Sequence, residues 1–277
     1  MYLSLSVLNR VKTIFLINIA VVFCSFCIIS VAKSDNDFFS ICYENIENIP
    51  YYYGEGSLVP VRDPGLYIDI LKRVEEELNL TVTFHRAPWA RCLRELELNQ
   101  VDAVLGGSYN ETRSKYGYYP MVDGKVDTER RLIDQSYSLF RRKGGAASWD
   151  GTSFSNLDKI GAQIGYSIID LLKSHSLVVA ETASVQRGFS LLQTGRIDGF
   201  ATINEIGASI MLRYPEKYNQ IEKVDPPITT KPYYLIVGKS YYSTHSKMVE
   251  DIWVQIAEIR ETELSELLMR YTEHRSP

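Results

Sequence analysis

The sequence has few cysteines, histidines and prolines and no excess of basic residues. Among 277 residues there are 4 cysteines, 4 histidines and 10 prolines, and the formal net charge is −4. Four cysteines are too few for a disulfide-dense scaffold, and four scattered histidines provide no zinc-binding spacing. The acidic balance argues against a nucleic-acid-binding protein. We therefore expect no nucleic-acid partner, no metal and no cofactor.

What the sequence does contain is an ordinary globular composition with many aromatic rings. Hydrophobic residues make up 45% of the chain, charged residues make up 23%, and 19 residues are tyrosine. At roughly 150 residues per domain, this length predicts one large or two modest domains with a substantial core.

Residues 1–34 have the layout of a secretory signal peptide. Arg10 and Lys12 precede an apolar run over 14–32, and Asp35 then begins polar sequence. A retained membrane anchor is the alternative, because the run approaches the twenty-residue length of a spanning helix. Cleavage at the end of the run predicts a protein exported to the periplasm.

Strands and helices alternate after this segment. The apolar residues of the first predicted helix repeat at the three-four spacing, and β-branched runs mark the strands. The predicted elements are a strand at 40–43, a helix over 67–78, a strand at 81–84, a helix over 88–96 and a strand at 101–105. This β-α-β-α-β succession predicts a parallel sheet with right-handed crossovers.

A second series of the same kind follows Gly144. Its predicted elements are a strand at 160–164, a helix over 167–172, a strand at 178–179, a helix over 185–193 and a strand at 198–202. A last helix over 247–270 carries enough apolar surface to dock on the first series.

Two extended segments, 137–142 and 233–237, flank the second series. If both cross between lobes, residues 35–138 and 237–277 form the first lobe and residues 139–236 form the second. This plan predicts a cleft at the carboxyl ends of the strands, where open α/β folds bind ligands.

Four motifs occur in a characteristic order along the chain. They are Val-Asp-Ala-Val at 101–104, Glu-Thr-Arg at 111–113, Ile-Gly-Ala-Gln-Ile-Gly-Tyr-Ser at 160–167 and Gly-Arg-Ile-Asp at 195–198. With them, the sequence resembles the bacterial extracellular solute-binding proteins of family 3. The resemblance implies an α/β fold of the periplasmic-binding-protein type II, with two mostly parallel sheets flanked by helices and a ligand cleft between the lobes. Such proteins most often serve amino-acid ABC transporters.

The resemblance also implies ligand-binding residues. Arg113 matches the arginine that grips the ligand's carboxylate in the family, and a guanidinium provides a bidentate clamp of permanent charge. Ser108 matches a serine that touches the ligand, and Gly107 lets a ligand approach the main chain. From the second lobe, Tyr166 and Ser167 match a turn that faces the carboxylate. The alternative for Ser167, a simple helix N-cap, stays open.

One position departs from the family pattern. Amino-acid-binding members place an aspartate there for the α-ammonium group, whereas this chain has Ile203 or Asn204, depending on a one-residue gap. Asn204 can accept a hydrogen bond but carries no charge. Glu205 can replace the aspartate only if its side chain turns into the cleft. A carboxylate in general is therefore a firmer expectation than an ordinary α-amino acid.

Aromatic residues are expected at the ligand-facing edge of the first sheet. Tyr52 lies on the loop after the first strand, and Trp89 follows the second strand at the same edge. Rings there can sandwich an aliphatic chain, a ring or a cation, although exposed tyrosines at a lobe rim are the alternative. Glu44 is the candidate for holding a cationic group.

Two cysteines lie on the same rim. Cys42 ends the first strand, and Cys92 lies in the first turn after the second strand. In an oxidising compartment this pair predicts one disulfide. The bridge would close a loop of about fifty residues and stabilise the protein by roughly 3 to 4 kcal/mol.

The sequence thus predicts a monomeric periplasmic solute-binding protein. It would capture a small carboxylated solute, an amino acid or a related compound, by hinge closure, and deliver it to an inner-membrane ABC permease. A ligand sensor for a membrane receptor and a secreted enzyme on the same fold, such as a dehydratase, are the alternatives. The sequence shows no positioned acid and base pair and no nucleophile with a partner, so we predict no enzymatic activity.

Overall fold

The computed structural model describes the backbone of residues 38–273 and the side chains of residues 38–271. The predicted signal peptide, 1–34, lies outside these described residues. Within them, no helix combines the length and the apolar character needed to cross a membrane.

Strands and helices alternate along the described chain. The strands are β1 (Phe38–Glu44), β2 (Thr81–Ala87), β3 (Ala103–Ser108), β4 (Gly117–Tyr118), β5 (Met121–Val122), β6 (Lys125–Val126), β7 (Ile133–Arg142), β8 (Ser148–Trp149), β9 (Phe154–Ser155), β10 (Lys159–Gln163), β11 (Val178–Thr182), β12 (Gly199–Ile203) and β13 (Ile221–Gly238). The helices are α1 (Leu66–Leu78), α2 (Trp89–Glu97), α3 (Glu111–Ser114), α4 (Ile168–Ser174), α5 (Val185–Gln193), α6 (Asn204–Arg213), α7 (Pro215–Tyr218) and α8 (Lys239–Glu273). Each strand and helix predicted from the sequence overlaps one of these elements.

The main sheet runs through both lobes in the order β11-β10-β12-β7-β13-β3-β1-β2. We call β1–β3 with α1–α3 and α8 the first lobe, and β10–β12 with α4–α6 the second lobe. The three strands of each lobe pair in parallel, as the βαβ pattern predicts. The long strands β7 and β13 pair antiparallel with each other and connect the two lobes.

The crossing strands change partners along their length. Tyr137 of β7 pairs with Ile203 in the second lobe, and Tyr233 of β13 pairs with Ser108 in the first. Both extended segments predicted from the sequence therefore lie where the sheet passes from one lobe to the other. The residue boundaries of the lobes stay a prediction.

Helices cover the first lobe because their apolar residues form one stripe. α1 buries Leu66, Ile70 and Val74 along a single face. It ends at Asn79, whose left-handed φ of 51° lets the chain turn back. α2 begins directly after Pro88, a residue whose fixed φ suits the start of a helix. α2 therefore starts at the carboxyl edge of β2.

The predicted disulfide between Cys42 and Cys92 is present, with a Cα–Cα distance of 5.4 Å. Both cysteines are fully buried. The bond fastens β1 to α2 at the edge of the sheet that faces the second lobe. It therefore holds in place the two elements that carry Glu44 and Trp89.

The C-terminal helix α8 is longer than the sequence pattern predicts. It contains a break at His245, whose φ of −128° is not helical. The predicted start at position 247 corresponds to the part after this break. There Ile252, Ile256 and Ile259 are buried against the first lobe.

Candidate functional site

A small cavity lies between the two lobes, at the carboxyl ends of β1, β3 and β10. The free space inside it is about 20 Å³, enough for about one water molecule and far below the range of about 300–1,000 Å³ typical of drug-sized ligand sites. The lining residues are Glu44, Tyr52, Trp89, Gly106, Gly107, Ser108, Arg113, Tyr137, Tyr166, Ile203 and Tyr233. Two of them are charged and five are aromatic, so the walls combine charged and apolar surface, and a solute larger than water needs the lobes to separate before it can enter.

Arg113 joins the two lobes at one side of the cavity. Its guanidinium donates to the carbonyl oxygen of Ser108 at 2.9 Å and to that of Gly165, in the second lobe, at 2.7 Å. It also lies over the Trp89 ring, 5.4 Å from the centroid. Asn110 caps the short helix α3 that carries this arginine. The guanidinium is therefore 95% buried and held in one orientation, with 5% of the residue exposed.

Gly165 is glycine for a conformational reason. Its φ of +77° lies in the left-handed region that side chains disfavour. This turn directs its carbonyl oxygen at both Arg113 and the Trp89 indole nitrogen, which donates to it at 3.2 Å. Gly107 differs, because a Cβ there would meet Ile236 at 2.4 Å. Core packing thus accounts for the glycine at 107, which lines the cavity as predicted.

Glu44 provides the carboxyl group of the cavity. It is 4% exposed, and its Oε2 accepts a hydrogen bond from the Tyr166 hydroxyl at 2.5 Å and a longer one from the Tyr52 hydroxyl at 3.3 Å. Burial raises the pKa of this carboxyl to about 7, although the two tyrosine hydrogen bonds oppose the shift. The carboxyl is therefore ready to lose its proton when a cation arrives.

The crossing strands contribute aromatic side chains to the cavity floor. The Tyr233 hydroxyl donates to the Tyr137 hydroxyl at 2.9 Å, and the Tyr137 ring packs edge-on against Tyr166. Burial raises the pKa of both Tyr137 and Tyr233, so these hydroxyls stay protonated. The sequence analysis recognised these strands without assigning their tyrosines to the site.

A second polar contact between the lobes involves two serines. The hydroxyls of Ser108 and Ser167 lie 2.7 Å apart. Ser167 is the N-cap residue of α4, as the alternative expects, but its side chain makes no capping hydrogen bond and contacts Ser108 instead. Lys231 of β13 donates to the Ser167 carbonyl at 3.1 Å. Burial lowers the pKa of this lysine, and the positive charge of the nearby Arg113 lowers it further.

The structure distinguishes the places of Ile203 and Asn204 at the end of β12. Ile203 lines the cavity, whereas Asn204 begins α6 and is only half-buried. The Asn204 carbonyl oxygen accepts a long hydrogen bond from Ser138 at 3.5 Å. Glu205 does not line the cavity either, and its buried Oε2 has no hydrogen-bond partner among the described residues. Of the two alternatives, Ile203 is therefore the one that lines the cavity, and ligand binding by Asn204 stays a prediction.

Two further contacts join the lobes outside the cavity. Glu47 of the first lobe forms a salt bridge with Arg213 at the end of α6. On the other side, the Asn110 amide donates to Asp170 of α4 at 2.7 Å. The lobes thus meet in a closed arrangement that protein contacts alone support.

The structure brings together most of the residues predicted for the site. Eight of them line the cavity or bond directly to a lining residue, and these are Glu44, Tyr52, Trp89, Gly107, Ser108, Arg113, Tyr166 and Ser167. The sequence analysis missed Tyr137, Tyr233 and Lys231. Their position in the two extended segments that pass along the cleft could have indicated them. In a strand, alternate side chains point to the same face, so some of them must face the cleft.

Comparisons with known proteins identify the fold. No family model matches the sequence, and no curated protein matches it. Among solved structures, a histidine kinase sensor domain with similarity to periplasmic binding proteins has a TM-score of 0.66 at 14% identity, covering 83% of this chain and 94% of that one. The substrate-binding protein of an amino-acid ABC transporter has a TM-score of 0.63 at 16% identity, covering 85% and 99%.

An ancestral arginine-binding protein bound to glutamine is similar as well. Its TM-score is 0.63 at 18% identity, and the match covers 84% of this chain and 97% of that one. These likenesses confirm the two-lobe α/β fold of family 3 solute-binding proteins that the sequence motifs predict. At such identities they describe the fold, and the ligand has to be argued from the cavity.

Proposed function

We propose that this protein binds a small solute that carries both a carboxylate and a cationic group, such as an amino acid or a related compound. The observation that supports the proposal is one small cavity holding a buried guanidinium, Arg113, and a buried carboxyl, Glu44. Buried charged groups are costly unless each has a partner. A solute with both charges supplies a partner to each.

Arg113 is the proposed carboxylate-binding residue. Its guanidinium donates to two uncharged carbonyl oxygens, one in each lobe. Hydrogen bonds between charged groups are roughly twice as strong as those between neutral groups. A solute carboxylate therefore competes well with the Gly165 carbonyl. Ser108 and Ser167 lie close enough to bond the same anion, because Arg113 bonds to the main chain of Ser108.

Glu44 is the proposed partner of the cationic group. Tyr52 and Tyr166 bond to the same carboxylate oxygen and place their rings beside it, where a cation also gains from aromatic faces. Ile203 is apolar where family members have the aspartate for an α-ammonium group. The cation of the solute is therefore expected near Glu44, apart from the carboxylate end.

We further propose that solute binding favours the closed arrangement of the lobes. Closure can be driven only by contacts that the solute makes in that state, and the cavity walls come from both lobes. The chain would pass from the first lobe to the second at 138–139 and back at 236–237. β7 and β13 would bend there as hinges. In the periplasm, the closed form would deliver the solute to an ABC permease.

A sensing role is the second candidate, and the likeness to a histidine kinase sensor domain favours it. In this role the closed form would contact a membrane receptor. Reconstitution distinguishes the two candidates. Stimulation of a permease's ATP hydrolysis by the loaded protein supports transport, and stimulation of a sensor kinase's autophosphorylation supports sensing. Permease genes or kinase genes beside the coding gene would indicate which partner to test first.

A thermal-shift screen followed by calorimetry tests the binding proposal. The panel contains α-amino acids, ω-amino acids and guanidino acids, together with polyamines and dicarboxylates as controls that carry charges of one sign only. We expect the largest stabilisation from solutes that carry both charges, with the cation distant from the carboxylate. If no such solute raises the melting temperature, or if polyamines and dicarboxylates act equally well, the proposal is wrong.

A further inference from the structure

A cluster of potential metal ligands surrounds the disulfide of the first lobe, and none of these residues lines the cavity. We infer that, once this disulfide is reduced, the same place binds one divalent metal ion of the zinc type. The four ligands are the Cys42 and Cys92 sulfurs, His85 Nε2 and Glu95 Oε2. This site is independent of the proposed solute-binding function, and composition alone gave no reason to expect it.

The topology places the four ligands together. Cys42 of β1 lies directly opposite His85 of β2 in the parallel register, so both side chains leave the same face of the sheet. On α2, Cys92 and Glu95 are three residues apart and therefore share one helix face. The disulfide shows that this face lies against Cys42. Three elements thus direct four ligands at one point.

The distances agree with a metal site. Cys42 Sγ, a His85 ring nitrogen and a Glu95 carboxylate oxygen all lie within 4.8 Å of one another, and His85 Nε2 is 3.0 Å from Glu95 Oε2. Ligand atoms around a tetrahedral zinc ion are separated by about 3.3 to 3.8 Å, given the usual zinc–ligand bond lengths. The sulfurs therefore have to separate after reduction, while the other two ligands already lie close to the required spacing.

The burial of the four ligands and the contact that orients Glu95 also fit a metal site. Both cysteines are fully buried and Glu95 is 8% exposed, whereas the His85 side chain is 47% exposed and leaves a path for the ion. Arg91 donates to the other oxygen of Glu95 at 2.7 Å. This contact orients Oε2 towards His85, in the way that outer contacts orient metal ligands. Two thiolates, an imidazole and a carboxylate suit zinc.

The redox step balances with a dithiol, or with a phosphine that takes oxygen from water to become a phosphine oxide while the two water protons go to the sulfurs. A dithiol gives two electrons and two protons to the disulfide and becomes a disulfide itself, which leaves two protein thiols. Binding of Zn²⁺ then displaces the two thiol protons. A small-molecule disulfide takes two electrons from the two thiolates and is reduced to two thiols, which forms the protein S–S bond again and releases the ion, because an imidazole and a carboxylate are too few ligands to retain it. The ion would thus link β1 to α2 when the disulfide is open.

Cobalt(II) binding to the full-length mature protein tests the inference. The protein is reduced with a phosphine, freed of reductant without oxygen and titrated with Co²⁺. We expect one Co²⁺ per chain, with a thiolate-to-cobalt charge-transfer band that added Zn²⁺ abolishes. The oxidised protein should show no such band. If reduced and oxidised protein bind Co²⁺ alike, or if circular dichroism shows that the Co²⁺-bound chain is unfolded, the inference is overturned.

Two substitutions separate this site from simple chelation by two thiols. His85→Asn and Glu95→Gln keep both cysteines, so folding of each oxidised variant is checked by circular dichroism before reduction. Loss of an outer contact to a metal ligand costs about 10- to 100-fold in affinity, so loss of a ligand should weaken Co²⁺ binding at least about tenfold. The matched controls His175→Asn and Glu97→Gln should bind as the wild type does. Unchanged binding in both test variants would leave only the two thiols and contradict the proposed site.

Discussion

Both lobes are built on three parallel strands with helices between them, β1–β3 in the first lobe and β10–β12 in the second. They differ in what they present to the cavity. The first lobe presents the Arg113 guanidinium and the Glu44 carboxyl, together with Tyr52 and Trp89. The second lobe presents the uncharged Tyr166 and Ile203, and the Gly165 carbonyl bonds to Arg113.

This difference assigns separate tasks to two similar units. The first lobe holds the charges that would select a solute, and a buried disulfide fixes β1, which carries Glu44, to α2, which carries Trp89. The second lobe supplies hydrogen bonds to those same charged groups. It therefore covers the site and completes it, so that closure and recognition are linked. The following variants test this contrast.

Loss of the disulfide should have the largest effect on stability. The bond closes a loop spanning 50 positions, which corresponds to about 4 kcal/mol in the chain-entropy account. Cys42→Ser combined with Cys92→Ser should lower the free energy of unfolding in urea by about that amount. Reduction of the wild type in the presence of a chelator should reproduce the loss. A change below about 1 kcal/mol would show that the bond does not stabilise the first lobe.

Glu44→Gln should change how stability depends on pH. Folding raises the pKa of Glu44 from 4.5 to about 7, so the folded protein favours the protonated carboxyl. Wild-type stability should therefore fall as pH rises from about 4.5 to about 7, by about 3 kcal/mol in total. The variant lacks this loss and should be more stable than the wild type at pH 8, with a smaller difference at pH 5.

Urea unfolding at both pH values measures the Glu44 effect. The exposed second-lobe Glu181→Gln is the matched control and should show the same difference from the wild type at both pH values. Parallel pH curves for wild type and Glu44→Gln would contradict the burial of an ionisable carboxyl in the cavity.

For a cationic solute, wild-type affinity should rise as pH increases through 7, because the solute requires the ionised form of the Glu44 carboxyl.

Arg113→Ala should weaken binding of the best solute from the screen by about 100-fold. Truncation of one member of a buried, hydrogen-bonded charge pair costs roughly 2–5 kcal/mol. Arg113→Lys should recover only part of the affinity, since lysine lacks the bidentate fork. The exposed Arg62→Ala serves as control in isothermal titration calorimetry. Equal affinities for Arg113→Ala and Arg62→Ala would exclude the proposed carboxylate contact.

Arg213→Ala should have the smallest effect, because Arg213 acts only on closure. Its salt bridge with Glu47 is partly exposed, and such pairs contribute about 1 kcal/mol or less. We expect a loss of affinity of up to about fivefold and a larger radius of gyration for the solute-free variant in small-angle X-ray scattering. Arg196→Ala, also on the second lobe, should change neither quantity. An unchanged radius in Arg213→Ala would show that this pair does not hold the lobes together.

The sequence by itself determined the order of the strands and helices and most of the first-lobe site. Parallel strands bring their carboxyl ends to one edge of a sheet. For this reason Glu44 after β1 and Trp89 after β2 could be placed together without coordinates, whereas Ser108 came from the resemblance to a family. The same reasoning placed Cys42 beside Cys92. In these cases local periodicity and a right-handed crossover are sufficient.

Only the tertiary structure decided how the two lobes meet. The contact between the Ser108 and Ser167 hydroxyls joins residues 59 positions apart, and no local propensity specifies it. The choice of Ile203 over Asn204 depends on a one-residue register that pairing with Tyr137 fixes. The pKa of Glu44 likewise rises because both lobes exclude water from it. Local sequence sets which side chains reach an edge, and packing of distant segments sets what surrounds them.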